Sequence, residues 1–87
     1  MKSGNARKEI FDEMLNARNK FPVFNSAHEG YAVILEELDE LWEAVKLNQN
    51  DPRRIEKMRI EAIQVGAMAL RFLVDCIPDR KYGGQEE

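Results

Sequence analysis

The chain has 87 residues, of which 44% are hydrophobic and 33% charged, and its formal net charge is −3. This balance is typical of one small soluble helical domain and excludes a disordered chain. The acidic charge argues against a nucleic-acid binder, which needs a basic face, and one cysteine with one histidine excludes an internal disulfide and a Cys/His zinc site.

The N-terminus has no apolar run of the length that a signal peptide needs. The longest apolar region, AIQVGAMALRFLVDCI, is interrupted by Gln64, Arg71 and Asp75, which makes it a poor membrane span. We therefore expect a cytoplasmic protein with no membrane partner.

The first predicted helix covers about residues 5–20. Its apolar face has i, i+4 spacing and consists of Ile10, Phe11, Met14 and Leu15. Pro22 should end the helix, because the residue before a proline leaves the α region. We expect Phe21 and Phe24 to pack against the core.

The second predicted helix covers about residues 27–48. Ser26 and Glu29 have the spacing of a capping box at its start. One apolar stripe follows at helical spacing: Tyr31, Ile34, Leu35, Leu38, Leu41, Trp42 and Val45. This stripe predicts the core-facing side of the helix, with Trp42 in the core.

The third predicted helix runs from Asp51, as N-cap, with Pro52 at the first helical position, to residue 77. Between residues 62 and 74 it is apolar on most of its circumference. Its polar side chains fall on one narrow strip: Arg53, Lys57, Glu61, Gln64, Arg71 and Asp75. Because a helix of this kind must be surrounded, we expect a homodimer or homotetramer in which three helices per chain complete a four-helix bundle. We expect the tail, residues 78–87, to be flexible.

The stretch EELDELWE, residues 36–43, contains five carboxylates. Two interpretations compete: a solvated face, or a cation site. Glu37 and Glu40 are three residues apart on one face, and Glu61 and Gln64 repeat this spacing on the third helix. Such oxygen ligands suit a hard divalent cation.

These residues resemble a known family. The pattern E-E-x-x-E followed by E-x-x-D is the signature of the MazG-like, all-α nucleoside triphosphate pyrophosphohydrolases. In this chain the first half of the pattern is matched by Glu36-Glu37-Leu38-Asp39-Glu40. The position of the second half is occupied by Glu61-Ala62-Ile63-Gln64. The resemblance covers about residues 26–77 of what we expect to be a single domain, and HEGYAVILEELDELWEAV is most similar to the short members.

The resemblance implies Mg²⁺-dependent cleavage, with Mn²⁺ as a substitute, of a ribo- or deoxynucleoside triphosphate into the monophosphate and pyrophosphate. It implies metal ligands at Glu37, Glu40 and Glu61, with Gln64 in the fourth position. A carboxylate, Glu36 or Glu40, would orient or deprotonate the attacking water. Basic side chains would bind the phosphates, and the candidates are Lys46, Arg53, Arg54, Lys57 and Arg71.

Gln64 departs from the family, which has aspartate there. An amide oxygen can bind Mg²⁺, but it has no charge and cannot act as a base. Two alternatives to the enzyme therefore stand beside it: a degenerate relative that binds nucleotide or metal without turnover, and a helical oligomerisation module.

Overall fold

The structure, a computed structural model, describes residues 1–79 and contains three helices, α1 (Ser3–Lys20), α2 (Ala27–Val45) and α3 (Arg54–Cys76). The predicted all-α class is confirmed for this part of the chain, which has no strand. None of its helices has the length and apolar character needed to cross a membrane. The flexible tail predicted for residues 78–87 falls almost entirely outside the described residues.

The end of α1 is set by the local sequence. Phe21 is extended, and its N–H donates the last bond of the helix to Ala17 O at 2.9 Å, directly before Pro22. Phe24 is buried, as predicted, whereas the expectation for Phe21 is wrong, because this ring lies 59% exposed at the rim of a cleft.

The start of α2 has the predicted cap in a modified form. Ser26 Oγ accepts a hydrogen bond from the Glu29 N–H at 3.1 Å. The Glu29 carboxylate accepts from the N–H of Asn25, at 2.9 Å, instead of from Ser26. At the other end, α2 stops at Val45, three residues before the predicted end. The Asn48 side chain accepts from the N–H of Asn50 at 2.8 Å, and this local bond replaces a further helical turn.

The start of α3 also differs from the prediction. Asp51 Oδ1 accepts from the N–H of Arg53 at 2.9 Å, as a capping side chain would. Residues 51–53 nevertheless form a turn, closed by the Arg54 N–H on Asp51 O at 3.1 Å, and the regular helix begins at Arg54.

The three helices lie side by side in the spatial order α1, α3, α2. Helix α2 is antiparallel to α3, since the Arg54 guanidinium donates to Val45 O at 3.2 Å at one end and Gly30 faces Phe72 near the other. Helix α1 is parallel to α3 and is bonded to it by Arg18 and Asp75 at 2.6 Å. Within the described residues α1 and α2 do not pack against each other, so a cleft remains between them with α3 as its floor.

The core is small, and much apolar surface remains outside it. The buried apolar side chains are Met14, Ala17, Phe24, Ala44, Ala67 and Met68. Helix α2 turns the small residues Gly30 and Ala44 toward α3. Five members of the predicted apolar stripe are consequently exposed: Tyr31, Leu35, Leu38, Trp42 and Val45. The expectation of a core position for Trp42 is wrong for the single chain, in which it is 57% exposed.

Candidate metal centre

Three glutamates from two helices come together beside the cleft. Glu37 and Glu40 lie one turn apart on α2, and Glu61 faces them from α3. Each contributes one carboxylate oxygen to a group whose members all lie within 4.8 Å of one another. We call these three residues the carboxylate cluster. Glu37 and Glu61 are half-buried and Glu40 is exposed.

The cluster concentrates negative charge that no ion pair within it offsets. Burial, followed by the neighbouring Glu40 and Glu61, raises the pKa of Glu37 to about 7. Burial and Glu40 likewise raise the pKa of Glu61, against a smaller opposing effect of Lys57. Glu61 Oε2 is buried without a hydrogen-bond partner among the described residues. An unpaired acceptor in an acidic group of hard oxygen ligands fits a divalent cation.

The cleft between α1 and α2, which we call the central cleft, has a volume of about 400 Å³. The residues that line it are Glu13, Ala17, Phe21, Pro22, Phe24, Glu29, Val33, Glu36, Glu37, Gln64, Met68 and Arg71. The order of these residues along the helices puts the rings of Phe21 and Phe24 near one end and Glu36, Glu37 and Gln64 near the other. The cleft therefore joins a largely apolar part, which Glu29 and Arg71 also line, to an acidic part.

A second depression lies on the other side of the carboxylate cluster. Glu40, Glu43, Lys57 and Glu61 line it together with Ala44 and Leu47. Glu37 lines the central cleft, while its two cluster partners line this lateral depression. The cluster therefore lies between the central cleft and this lateral depression.

The remaining acidic and amide candidates lie at the central cleft. Glu36 is exposed, lines the cleft and is not part of the carboxylate cluster. Gln64 Nε2 donates a hydrogen bond to Glu13 Oε2 on α1 at 2.9 Å. Sequence reasoning missed Glu13. A signal was present, because Glu13 lies four residues before the buried Ala17 and so at the edge of the buried face of α1.

The structure divides the five basic candidates into two groups, those that line a cleft or depression and those that do not. Lys57 lines the lateral depression and Arg71 lines the central cleft. Lys46 instead pairs with Glu43 at 2.9 Å and lies 5.6 Å from the centre of the Trp42 ring, and Arg53 pairs with Asp51 at 2.8 Å. Arg54, the fifth cation considered, donates to the last turn of α2.

Arg71 belongs to a buried network at the apolar end of the cleft. It is 5% exposed, its guanidinium lies 4.1 Å from the centre of the Phe24 ring, and it donates to Pro22 O. Its Nε lies 3.5 Å from Asp75 Oδ2, which also accepts from the N–H of Phe24 at 3.1 Å. Arg71 and Asp75, which are four residues apart on the polar strip of α3, therefore form an ion pair. It holds the connection between α1 and α2 against α3.

Comparison of the chain with protein-family models, with curated proteins and with solved structures gives no match. A function for this chain therefore has to be argued from the geometry of the cluster and the cleft, together with the resemblance of the two acidic motifs.

Proposed function

We propose that this protein is a Mg²⁺-dependent nucleotide pyrophosphohydrolase that converts a ribo- or deoxynucleoside triphosphate into the monophosphate and pyrophosphate. The observation that carries the proposal is the convergence of Glu37, Glu40 and Glu61 within 4.8 Å. These are the three carboxylates that the resemblance to MazG-like enzymes assigns to the metal.

The donor set suits the metal. Glu37, Glu40 and Glu61 would hold Mg²⁺ through carboxylate oxygens, which are the hard ligands that this ion prefers. The buried Glu61 Oε2, which lacks a hydrogen-bond partner, would gain one interaction that the described residues do not supply. Bound Mg²⁺ supplies neutralisation of charge on the phosphate oxygens and on the leaving group.

The residues around the cluster account for the other parts of the reaction. Water adds to phosphorus at the α–β anhydride, the bridging P–O bond breaks, and the proton of the water passes to a carboxylate. Glu36 suits this role, because it lines the cleft next to the cluster without belonging to it. Lys57, in the lateral depression, supplies a cation for the phosphates.

The central cleft is the place for the nucleoside. Its volume of about 400 Å³ is within the range of small-molecule sites, and its apolar part offers the rings of Phe21 and Phe24. A base in this part of the cleft would leave the phosphates at the acidic end, toward the carboxylate cluster.

The test is an assay of monophosphate and pyrophosphate release from a panel of nucleoside triphosphates with Mg²⁺ or Mn²⁺. We expect Glu40→Gln to lower kcat at least about 100-fold, because it removes a charged ligand of the metal. Asp39→Asn, an isosteric change on the same helix outside the cluster, is the matched control. Equal loss in both variants, or turnover that persists in Glu40→Gln, would contradict the proposal.

Gln64 favours a second candidate, a protein that binds metal and nucleotide without turnover. Its neutral amide leaves the motif one charge short of the family pattern. Mn²⁺ binding to the wild type with no product from any triphosphate would support this candidate over the enzyme.

We further propose that the chain acts as a homo-oligomer. The exposed residues Tyr31, Leu35, Leu38, Trp42 and Val45 follow one another at steps of four and three, the spacing of a helix–helix seam. On α3, Ile55 and Leu73 are exposed on the side turned away from the central cleft. We call this surface the back face. This surface contains seven large apolar residues that are exposed in the single chain. Each partner of a stable complex typically buries about 800 Å², so a surface of this kind suits an interface.

The occupant that fits the back face best is a second copy of the chain. A pair of antiparallel helices with one apolar face is half of a four-helix bundle, and an identical pair completes it. A helical oligomerisation module, the third candidate function, would use the same face without the metal.

A further inference from the structure

We infer that Glu13 is a positioning residue of the proposed site: it orients the amide of Gln64 and returns to the site the negative charge that Gln64 lacks. This inference rests on the proposed metal centre. It concerns a residue on α1, a helix outside both acidic motifs and outside the stretch that carries the family resemblance.

The first observation is the hydrogen bond between Gln64 Nε2 and Glu13 Oε2, 2.9 Å long and partly buried. An ionised carboxylate only accepts hydrogen bonds, so the nitrogen of the amide has to face Glu13. The usual ambiguity between the oxygen and the nitrogen of a glutamine amide is thereby resolved by chemistry. Gln64 Oε1 is then on the side of the amide away from Glu13, and this hydrogen bond does not use its lone pairs.

The second observation is the position of the pair. Glu13 and Gln64 both line the central cleft, and both also line a hollow on the other side of the pair, between α1 and α3. The hydrogen bond therefore bridges the two helices and closes the cleft at its acidic end. Asn16 Nδ2 donates to the other oxygen, Glu13 Oε1, at 3.4 Å, which restricts rotation of the carboxylate.

The third observation is the charge. Glu37, Glu40 and Glu61 form the cluster, and the glutamine stands where the family motif has an acid. A carboxylate hydrogen-bonded to a ligand makes that ligand a better donor and fixes its direction, as partners in the shell around a metal generally do. Glu13 polarises the amide of Gln64, so the amide oxygen becomes more negative. The Glu13 carboxylate and the Gln64 amide together would supply the charge and the ligand oxygen that one aspartate supplies in the family motif.

The experiment exchanges the two groups. Glu13→Gln removes the charge while keeping the size of the side chain, and Gln64→Glu does the reverse. The double variant places the amide on α1 and the carboxylate on α3, with the same atoms and the same net charge as the wild type. Mn²⁺ affinity is measured by electron paramagnetic resonance, and the melting temperature without metal is measured for every variant.

We expect Glu13→Gln to raise the Kd for Mn²⁺ about tenfold, as loss of a partner around a metal does. The double variant should return to within about threefold of the wild type, because one charge and one hydrogen bond are restored. Gln64→Glu alone should lower the melting temperature, since it sets two carboxylates against each other. The same change in the Glu13→Gln background should raise it. Asp12→Asn, on the exposed side of α1 and paired with Lys8 at 2.6 Å, controls for net charge.

An unchanged Kd in Glu13→Gln, or a double variant as weak as Glu13→Gln, would overturn the inference while leaving the metal centre in place. A wild-type protein without measurable Mn²⁺ binding would overturn the metal centre and this inference together. If the Kd for Mn²⁺ rises as much in Asp12→Asn as in Glu13→Gln, the effect of Glu13 comes from the net charge of the protein alone. This result would also overturn the inference.

Discussion

At the scale of single residues, Glu37 is the most informative group of the site. Its pKa is raised to about 7 by burial and by the neighbouring carboxylates. It therefore binds a proton more tightly in the folded chain than in the unfolded one, where the pKa is near 4.5. The associated stability is complete below pH 4.5 and is lost as the pH rises toward 7.

We expect the metal-free protein to lose about 1 kcal/mol of unfolding free energy between pH 5 and pH 8 from this group, after allowance for screening at a half-exposed site. Glu37→Gln should remove this part of the pH dependence and be the more stable form at pH 8. Urea unfolding at the two pH values measures both. Asp39→Asn is the control. A pH dependence in Glu37→Gln that is as large as that of the wild type would contradict the assignment.

Asp75 shows how a single buried charge stabilises the connection between α1 and α2. Its side chain is 1% exposed and accepts from Arg18 at 2.6 Å and from the Phe24 N–H at 3.1 Å. It also faces the buried Arg71. Sequence spacing indicated the pair with Arg71, but not the bonds to α1 and to the connection.

We expect Asp75→Asn to lower the unfolding free energy by about 3 kcal/mol, because it leaves Arg71 buried without its counter-charge. Asp12→Asn breaks the exposed pair with Lys8 and should have a much smaller effect, because water screens this pair. Denaturant unfolding of both variants gives the comparison. If both variants lower the unfolding free energy by a similarly small amount, water must solvate the Arg71 guanidinium in Asp75→Asn.

At the scale of elements, the helices follow the sequence closely except at their ends. Local bonds of Asn48 and Asp51 set where α2 stops and α3 starts. Hydrophobic periodicity does not predict the exact residue at which these helices end or begin, because capping side chains and helical turns compete for the same backbone groups.

Glycines decide how closely the elements approach each other. A Cβ added at Gly30 would lie 2.6 Å from Phe72 Cδ2, and one at Gly66 would lie 2.9 Å from Ile10 Cδ1. Gly66 lies in the middle of the third helix, where glycine costs about 1 kcal/mol relative to alanine, and it allows the close approach of α1. Gly30 likewise sets the distance between α2 and α3.

We expect Gly30→Ala to lower the unfolding free energy by about 1–3 kcal/mol, because the clash with an aromatic ring outweighs the gain in helix propensity. Gly4→Ala is the matched control. It meets nothing within 4 Å and should be neutral or stabilising by up to about 0.5 kcal/mol. Thermal unfolding of the two variants tests this, and stabilisation by both would show that α2 can shift freely on α3.

At the scale of the whole molecule, the back face is the dominant feature. Leu38 lies in the middle of its seam and is 48% exposed. Leu38→Glu should convert an oligomer into a monomer, because a charge in an apolar helix interface is left without a partner. Sedimentation analysis of the wild type and the variant over a range of concentrations measures the change.

Val23→Glu places the same charge on an exposed apolar position in the connection and should leave the assembly intact. A wild-type protein that is monomeric at every concentration, or dissociation caused equally by both substitutions, would contradict self-association through the back face.

The sequence by itself determined the helical class, the cap at Ser26, the end of α1 before Pro22 and the pairing of Glu37 with Glu40. All of these depend on residues within one or two turns of each other. The resemblance of the two motifs already implied that Glu61 joins that pair. The tertiary structure alone decided that Gln64 bonds to Glu13 and that Trp42 faces outward. These contacts depend on how each helix is rotated about its axis. That rotation follows from the close packing at Gly30 and Gly66, which periodicity along one helix does not specify.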